Sequence, residues 1–151
     1  MSIDVTVETA IGRPREEVAA CALEPENDTV WIGGISESNQ VTDGPLAAGS
    51  RVARVASFLG KRIEYVNEID ELEPGRRLVM HSVSGPFAMR ITYEFADGDG
   101  GSVARIRVEG DAGGFYALAA PALRRKVRRS VEADLAALKG LLEGRGEHPS
   151  R

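Results

Sequence analysis

Hydrophobic and polar residues alternate along most of the first 110 positions, which is the spacing of β-strands with one buried face. Ile3, Val5 and Val7 alternate with polar residues at the start of the chain. A later stretch places five apolar or aromatic side chains on one face: Phe87, Met89, Ile91, Tyr93 and Phe95. The pattern predicts seven strands, over residues 3–11, 35–42, 50–59, 61–72, 77–84, 87–95 and 102–109.

The spacing changes to three and four residues near the C-terminus, which predicts one long amphipathic helix from about Gly113 to Glu143. Two short helices are predicted after the first strand, one opening at Pro14 and one running from Pro25 into Trp31. Short turn-rich connections between the strands imply an antiparallel sheet, and helices segregated from strands imply an α+β fold.

The fourth strand changes phase along its length. Ile63 and Tyr65 share one face, whereas Ile69 and Leu72 fall out of step with them. A β-bulge or bend is therefore predicted near Glu68 to Asp70.

Composition narrows the class of protein. The chain has 151 residues, a length that suits one domain with a sizeable core, and a formal net charge of −4, which argues against nucleic acid as the main partner. The single cysteine, Cys21, excludes an intrachain disulfide and a cysteine-based metal cluster. With no leader-like N-terminus and no apolar run long enough to span a bilayer, a cytoplasmic protein without an integral membrane segment is expected.

The order of elements and the residues at their joints resemble the START-like (SRPBCC) superfamily, which shares the fold of Bet v 1, and within it the bacterial polyketide cyclase/dehydrase branch. The matching pieces, in chain order, are Pro14-Arg15-Glu16-Glu17-Val18, Glu24-Pro25-Glu26-Asn27 with Trp31, Gly49-Ser50-Arg51-Val52, Ile69-Asp70-Glu71-Leu72-Glu73-Pro74-Gly75-Arg76-Arg77-Leu78, Gly85-Pro86-Phe87, Asp99-Gly100-Gly101-Ser102-Val103 and Leu135-Ala136-Ala137-Leu138-Lys139-Gly140-Leu141-Leu142-Glu143.

The resemblance implies a helix-grip fold over residues 1–143, in which a seven-stranded antiparallel sheet wraps around the long C-terminal helix, followed by a disordered tail at 144–151. It also implies an apolar cavity between sheet and helix that opens near the two short helices. Such cavities are the usual sites for small molecules.

Candidate ligand-binding residues are those expected to face that cavity: Trp31, Arg54, Tyr65, His81, Phe87, Met89, Tyr93, Phe115, Leu118, Ala119 and Ala122. Four of them could also take part in catalysis: Arg54, Tyr65, His81 and Tyr93.

Several orientations stay open at this stage. His81 lies on a strand that is apolar on both faces, so it is either a base in the cavity or a structural or surface histidine. Arg54 shares phase with Val52 and Phe58, so it can face the cavity, where its charge would need a carboxylate or an anionic ligand. Arg90 is out of phase with the aromatic face and is expected in solvent, and Trp31 either anchors the short helices or gates the cavity.

Three functions remain. The preferred hypothesis is a carrier or sensor of a small hydrophobic molecule, lipid-like or polyketide-like. The alternative is a polyketide aromatase/cyclase or dehydrase, favoured if two or more of Arg54, Tyr65, His81 and Tyr93 meet within hydrogen-bond reach inside one pocket. The third is a protein-interaction domain, favoured if the interior is filled.

No metal-binding motif, phosphate-binding loop or nucleophile elbow is present in the sequence. The prediction is therefore no metal and no cofactor, and an enzyme of this kind would work without a covalent intermediate. A homodimer is compatible with the sequence, which does not decide the oligomeric state.

Overall fold

The computed structural model describes residues 2–58, 60–85, 87–111 and 120–147. The strands are β1 (Ser2–Ile11), β2 (Ile35–Gln40), β3 (Arg51–Phe58), β4 (Lys61–Glu73), β5 (Arg77–Ser84), β6 (Ala88–Gly98) and β7 (Gly101–Asp111). The helices are α1 (Arg15–Ala22), a 3-10 turn (Pro25–Asn27), α2 (Asp28–Trp31) and α3 (Ala120–Glu147).

The strands form one antiparallel sheet in the order β1-β7-β6-β5-β4-β3-β2. Consecutive strands pair from β2 to β7, as expected for short turns. Strand β1 forms one edge of the sheet and pairs along its whole length with β7. This arrangement, with two short helices after β1 and a long helix at the C-terminus, confirms the predicted architecture.

The predicted irregularity in β4 is confirmed as a β-bulge. Ile69 pairs with Met80, and the next pair is Glu71 with Val79, so that Asp70 is the extra residue on its strand. A bulge of this kind turns a side chain away from the regular pleat and increases the local twist of the sheet.

The apolar core of the described residues forms two clusters. The larger one brings α3, through Leu135, Leu138 and Leu142, against the inner face of the sheet and against α1 and α2. The smaller one contains Ile3, Val5 and Leu123. The second half of α3 therefore carries the bulky side chains that fix it to the sheet.

Helix α3 extends further than the sequence predicted, because it runs to Glu147 and so includes part of the segment expected to be a disordered tail. Gly144 is tolerated inside a helix at a cost of about 1 kcal/mol, and the next strong helix breaker is Pro149. The predicted start at Gly113 lies outside the described residues, as do residues 148–151. No helix in the described part of the chain is long and apolar enough to cross a membrane.

Candidate functional site: a cavity with one polar end

A cavity of about 270 Å³ lies between the inner face of the sheet, α2 and α3. Its wall is mainly apolar and includes members of both core clusters. The apolar lining residues are Ile3, Trp31, Ile35, Phe58, Ile63, Phe87, Met89, Ile91, Ile106, Val108, Leu123, Val127 and Val131. The lining residues that are exposed to solvent are Gly34, Ser57, Ala88 and Asp111. They mark the mouth beside the β3–β4 and β5–β6 turns, at the end of β7 and just after α2.

A buried ion pair lies at the polar end of this cavity, and Arg54 is its member on the wall. Arg54, in the middle of β3, donates from Nε and Nη2 to Oδ2 of Asp28 at 3.1 and 2.9 Å. Both side chains are almost fully buried, with 4% and 3% of their surface exposed. Ser38, the neighbour of Arg54 across the β2–β3 pair, donates its hydroxyl to the same carboxylate oxygen at 2.6 Å. Strand register thus places a cation on the inner face, and α2 supplies its partner.

Tyr93 and Tyr65 complete the polar end. Tyr93 is buried on β6, and the Arg54 guanidinium is near enough to favour ionisation of its hydroxyl. Burial raises the pKa of Tyr93 to about 12, despite the opposing effect of Arg54, so the phenol stays protonated at neutral pH. Tyr65 lies directly opposite Arg54 across the β3–β4 pair, and both tyrosines line the cavity.

Burial opposes the charge of Arg54, but the Tyr93 and Asp28 groups beside it outweigh that effect and raise its pKa. Arg54 is therefore a permanent cation. Three of the four side chains considered for catalysis, Arg54, Tyr65 and Tyr93, line the same cavity.

Trp31 is both an anchor and part of the cavity wall. It is 2% exposed, ends α2, and packs on Tyr93 with ring centroids 6.0 Å apart and planes tilted by 59°. Its indole N–H is buried and finds no hydrogen-bond acceptor among the described residues. The structure thus packs its side chain between the short helices and the sheet, as the anchor interpretation expects, and one part of its ring lines the cavity.

Asp134 adds a carboxylate to the wall on the α3 side. It accepts a hydrogen bond from the backbone N–H of Gly33 at 2.9 Å, which ties α3 to the loop that follows α2. Burial raises the pKa of this carboxyl, and the Gly33 hydrogen bond only partly offsets the effect.

His81 does not line the cavity, contrary to its inclusion among the candidate ligand-binding and catalytic residues. Its strand register places it between Glu68 and Arg90 on the outer face of the sheet, where its Nδ1 lies 2.7 Å from Oδ1 of Asp70, the bulge residue. Arg90 is exposed, as predicted.

Glu68, Asp70 and His81 bring their potential metal-ligating atoms within 4.8 Å of one another on this outer face. Arg51 already pairs with Glu68 at 3.0 Å, and Asp70 with His81. The cluster is therefore explained as surface ion pairing.

The helix residues that face the cavity lie further along α3 than predicted. Leu123, Val127, Ser130, Val131 and Asp134 line it, whereas Ala122 is exposed and does not. Each helical residue turns by about 100°, so Ala122 points well away from its inward neighbour. The other helix candidates, Phe115, Leu118 and Ala119, lie outside the described residues.

The sequence reasoning missed Asp28 and Asp134. The sequence held a signal for each. An inward Arg54 requires a buried carboxylate as its partner. Asp134 lies three residues after Val131 and four before Leu138, a helical spacing at which a hydrophobic residue is expected. Of the other candidates, Phe87 and Met89 line the cavity together with Trp31, Arg54, Tyr65 and Tyr93.

Comparison with known proteins identifies the relatives of this fold. The sequence model of the family described as "Polyketide cyclase / dehydrase and lipid transport" matches residues 2–143. A search of curated proteins finds no significant match.

Solved structures resemble the whole chain. A protein from Thermus thermophilus has a TM-score of 0.79 at 21% identity, covering 90% of this chain and 94% of its own. The Zhui aromatase/cyclase from a Streptomyces species has a TM-score of 0.80 at 16% identity, covering 96% of both chains. A START superfamily protein from Mycobacterium smegmatis has a TM-score of 0.75 at 13% identity, covering 95% and 97%. At these identities the likeness establishes the START/Bet v 1 helix-grip fold.

Replacing Arg54→Met should lower the free energy of unfolding by about 3–5 kcal/mol, because the Asp28 carboxylate would stay buried without its partner. The double variant Asp28→Asn/Arg54→Met should recover part of this loss. Chemical denaturation measures both. Arg105→Met, which breaks an exposed pair with Glu8, is the matched control and should cost no more than about 1 kcal/mol. Equal losses for the two single variants would contradict the assignment.

Replacing Asp134→Asn should raise the melting temperature at neutral pH. The folded-state pKa of Asp134 lies above its unfolded value, so the folded protein loses stability as the pH rises through that pKa, and an uncharged amide avoids the loss. The advantage of the variant should vanish in acid, where the carboxyl is protonated. Melting curves between about pH 3 and pH 8 measure the difference.

The control for this prediction is Asp4→Asn. The side-chain hydrogen bond from Arg107 lowers the pKa of Asp4, so its replacement should have the opposite sign at neutral pH. An unchanged melting temperature for Asp134→Asn at every pH would show that the carboxylate carries no burial penalty.

Proposed function

Since this chain belongs to the family of polyketide cyclases, dehydrases and lipid-transport proteins, we propose that it binds a small, mostly apolar molecule in the cavity between the sheet and α3. The observation that carries this proposal is the cavity itself: about 270 Å³ of space with an apolar wall and one polar end. Ligand sites commonly combine an apolar lining with a few placed polar groups, and this volume lies near the lower end of their usual range of ~300–1,000 Å³.

The polar side chains at one end of the cavity can orient the ligand. Arg54, Tyr65 and Tyr93 lie on adjacent parts of the wall, where they can hydrogen-bond an oxygen of the bound molecule while its apolar body contacts α3 and β6. A protein-interaction domain would have no need of such a space, and a filled interior was its expected signature.

The binding test uses the neutral fluorescent dye N-phenyl-1-naphthylamine. Trp31 is the only tryptophan of the chain and lines the cavity, so bound dye should receive energy from it. We expect a saturable rise in dye emission on excitation of Trp31. No energy transfer at any dye concentration would contradict the proposal.

Replacing Ala56→Phe should weaken dye binding by about tenfold or more, because Ala56 lines the cavity and the larger ring would fill it. Ala53→Phe is the matched control, since it makes the same change on the opposite face of β3 and should leave the affinity close to that of the wild-type protein. Melting curves for both variants establish that each is folded. Equal weakening by both would place the dye elsewhere.

A second candidate function is that of a polyketide aromatase/cyclase, and the observation that favours it is that Arg54, Tyr65 and Tyr93 lie on the wall of one cavity. Arg54 and Tyr93 can each donate a hydrogen bond to a ketone oxygen of a bound poly-β-ketone, while an enolate carbon of the same polyketide attacks that carbonyl carbon. That oxygen then takes a proton to become a hydroxyl, which can leave with a neighbouring hydrogen as water. Asp134 on the facing wall, whose pKa is raised by burial, is the titratable group that could exchange a proton.

The cyclase hypothesis is tested by adding the protein to a minimal polyketide synthase that makes a poly-β-ketone in solution. An aromatase/cyclase should shift the products toward one cyclised aromatic compound, and Tyr93→Phe should lower this yield at least about tenfold while the dye still binds. His81→Ala is the control and should leave the products unchanged, because that side chain lies outside the cavity. An identical product profile with and without the protein would contradict catalysis and leave the binding function intact.

A further inference from the structure

The positive charge at the polar end of the cavity is already balanced. Two nitrogens of Arg54, Nε and Nη2, donate to the same oxygen of Asp28, and Ser38 donates to that oxygen as well. Both charged side chains are nearly fully buried, so solvent screens their attraction only weakly. To a bound molecule, this end of the cavity presents hydrogen-bond donors without a net positive charge.

The other charged groups on the described part of the wall are acids. Asp134 lies on the α3 side and Asp111 at the mouth, where β7 ends. A carboxylate entering from water would therefore lose its hydration, meet the acidic side chain of Asp134 and find a guanidinium whose charge is already paired.

The donors that remain suit an uncharged oxygen. The Tyr93 phenol is protonated at neutral pH and lies on the wall of the cavity, so it can donate its proton in a hydrogen bond to a ligand oxygen. A ketone, quinone or phenol oxygen in the ligand would fill this role at no cost in buried charge.

We propose that the cavity selects neutral ligands that carry a hydrogen-bond-accepting oxygen and discriminates against carboxylic acids of the same skeleton. This inference rests on the proposed binding function and names its ligand class. It distinguishes a neutral aromatic or polyketide-like ligand from a free fatty acid, which a lipid carrier could also take.

The test is displacement of bound N-phenyl-1-naphthylamine by two compounds that share one ring system, 2-acetylnaphthalene and 2-naphthoate, at neutral pH. The ketone should displace the dye at a concentration at least about tenfold lower than the acid. Displacement by the acid at an equal or lower concentration overturns the inference, and so does failure of the ketone to displace the dye. Absence of dye binding is a different result, because it overturns the proposed function itself.

A variant tests the cause of the selectivity. Asp28→Asn removes the balancing charge and keeps an oxygen for Ser38, so the Arg54 cation becomes available to an anion. Relative to the ketone, 2-naphthoate should gain about tenfold in affinity. Asp4→Asn, which removes an exposed carboxylate paired with Arg107 on the outer face, is the matched control and should not change the ratio. An unchanged ratio in folded Asp28→Asn would overturn the inference, and if that variant fails to fold, the wild-type ratio alone decides.

Discussion

The ion pair between Arg54 and Asp28 is the interaction on which the arrangement of the site depends. A guanidinium in the middle of β3, facing inward, cannot be left unpaired in an apolar interior, so a carboxylate must approach from the layer that covers the sheet. Asp28 is the first residue of α2, and meeting Arg54 fixes where that single helical turn lies. Trp31, three residues later, is then carried onto Tyr93, and the two rings form part of the cavity wall.

The cavity itself follows from the division of the apolar core. Bulky leucines in the second half of α3, such as Leu138, pack against the sheet and the short helices, whereas Leu123 and Val127 pack near Ile3 at the other end. Between these contacts the helix presents Ser130 and Asp134, whose small or polar side chains do not fill the space. The hydrogen bond from Gly33 to Asp134 holds the helix to the α2 loop across this gap.

Periodicity predicted the strands and the bulge near Asp70, because these depend on which residues alternate along the chain, and the short turns predicted an antiparallel sheet. It could not decide the direction of His81, since its strand is buried on both faces at Leu78 and Val79 and carries no phase signal. Ala122 was placed in the site by its small size, yet its position around the helix decides its exposure. The role of Asp28 could not be predicted, because it rests on a contact with Arg54, 26 residues away in the sequence. The spacing of residues along one element does not reveal such a contact.

Burial explains why Arg54 identifies the site while His81 does not. Both are unusual residues next to a carboxylate, but the pair of His81 with Asp70 is partly open to water, where its formation and loss change the free energy of unfolding little. The pair of Arg54 with Asp28 is closed to water, so the desolvation of its two charges lowers the stability of the folded protein. An apolar pair of the same size would avoid this penalty. Such departures from local consistency are expected where function requires them. In this protein two such inward-facing residues, Arg54 and Asp134, lie on the wall of one cavity.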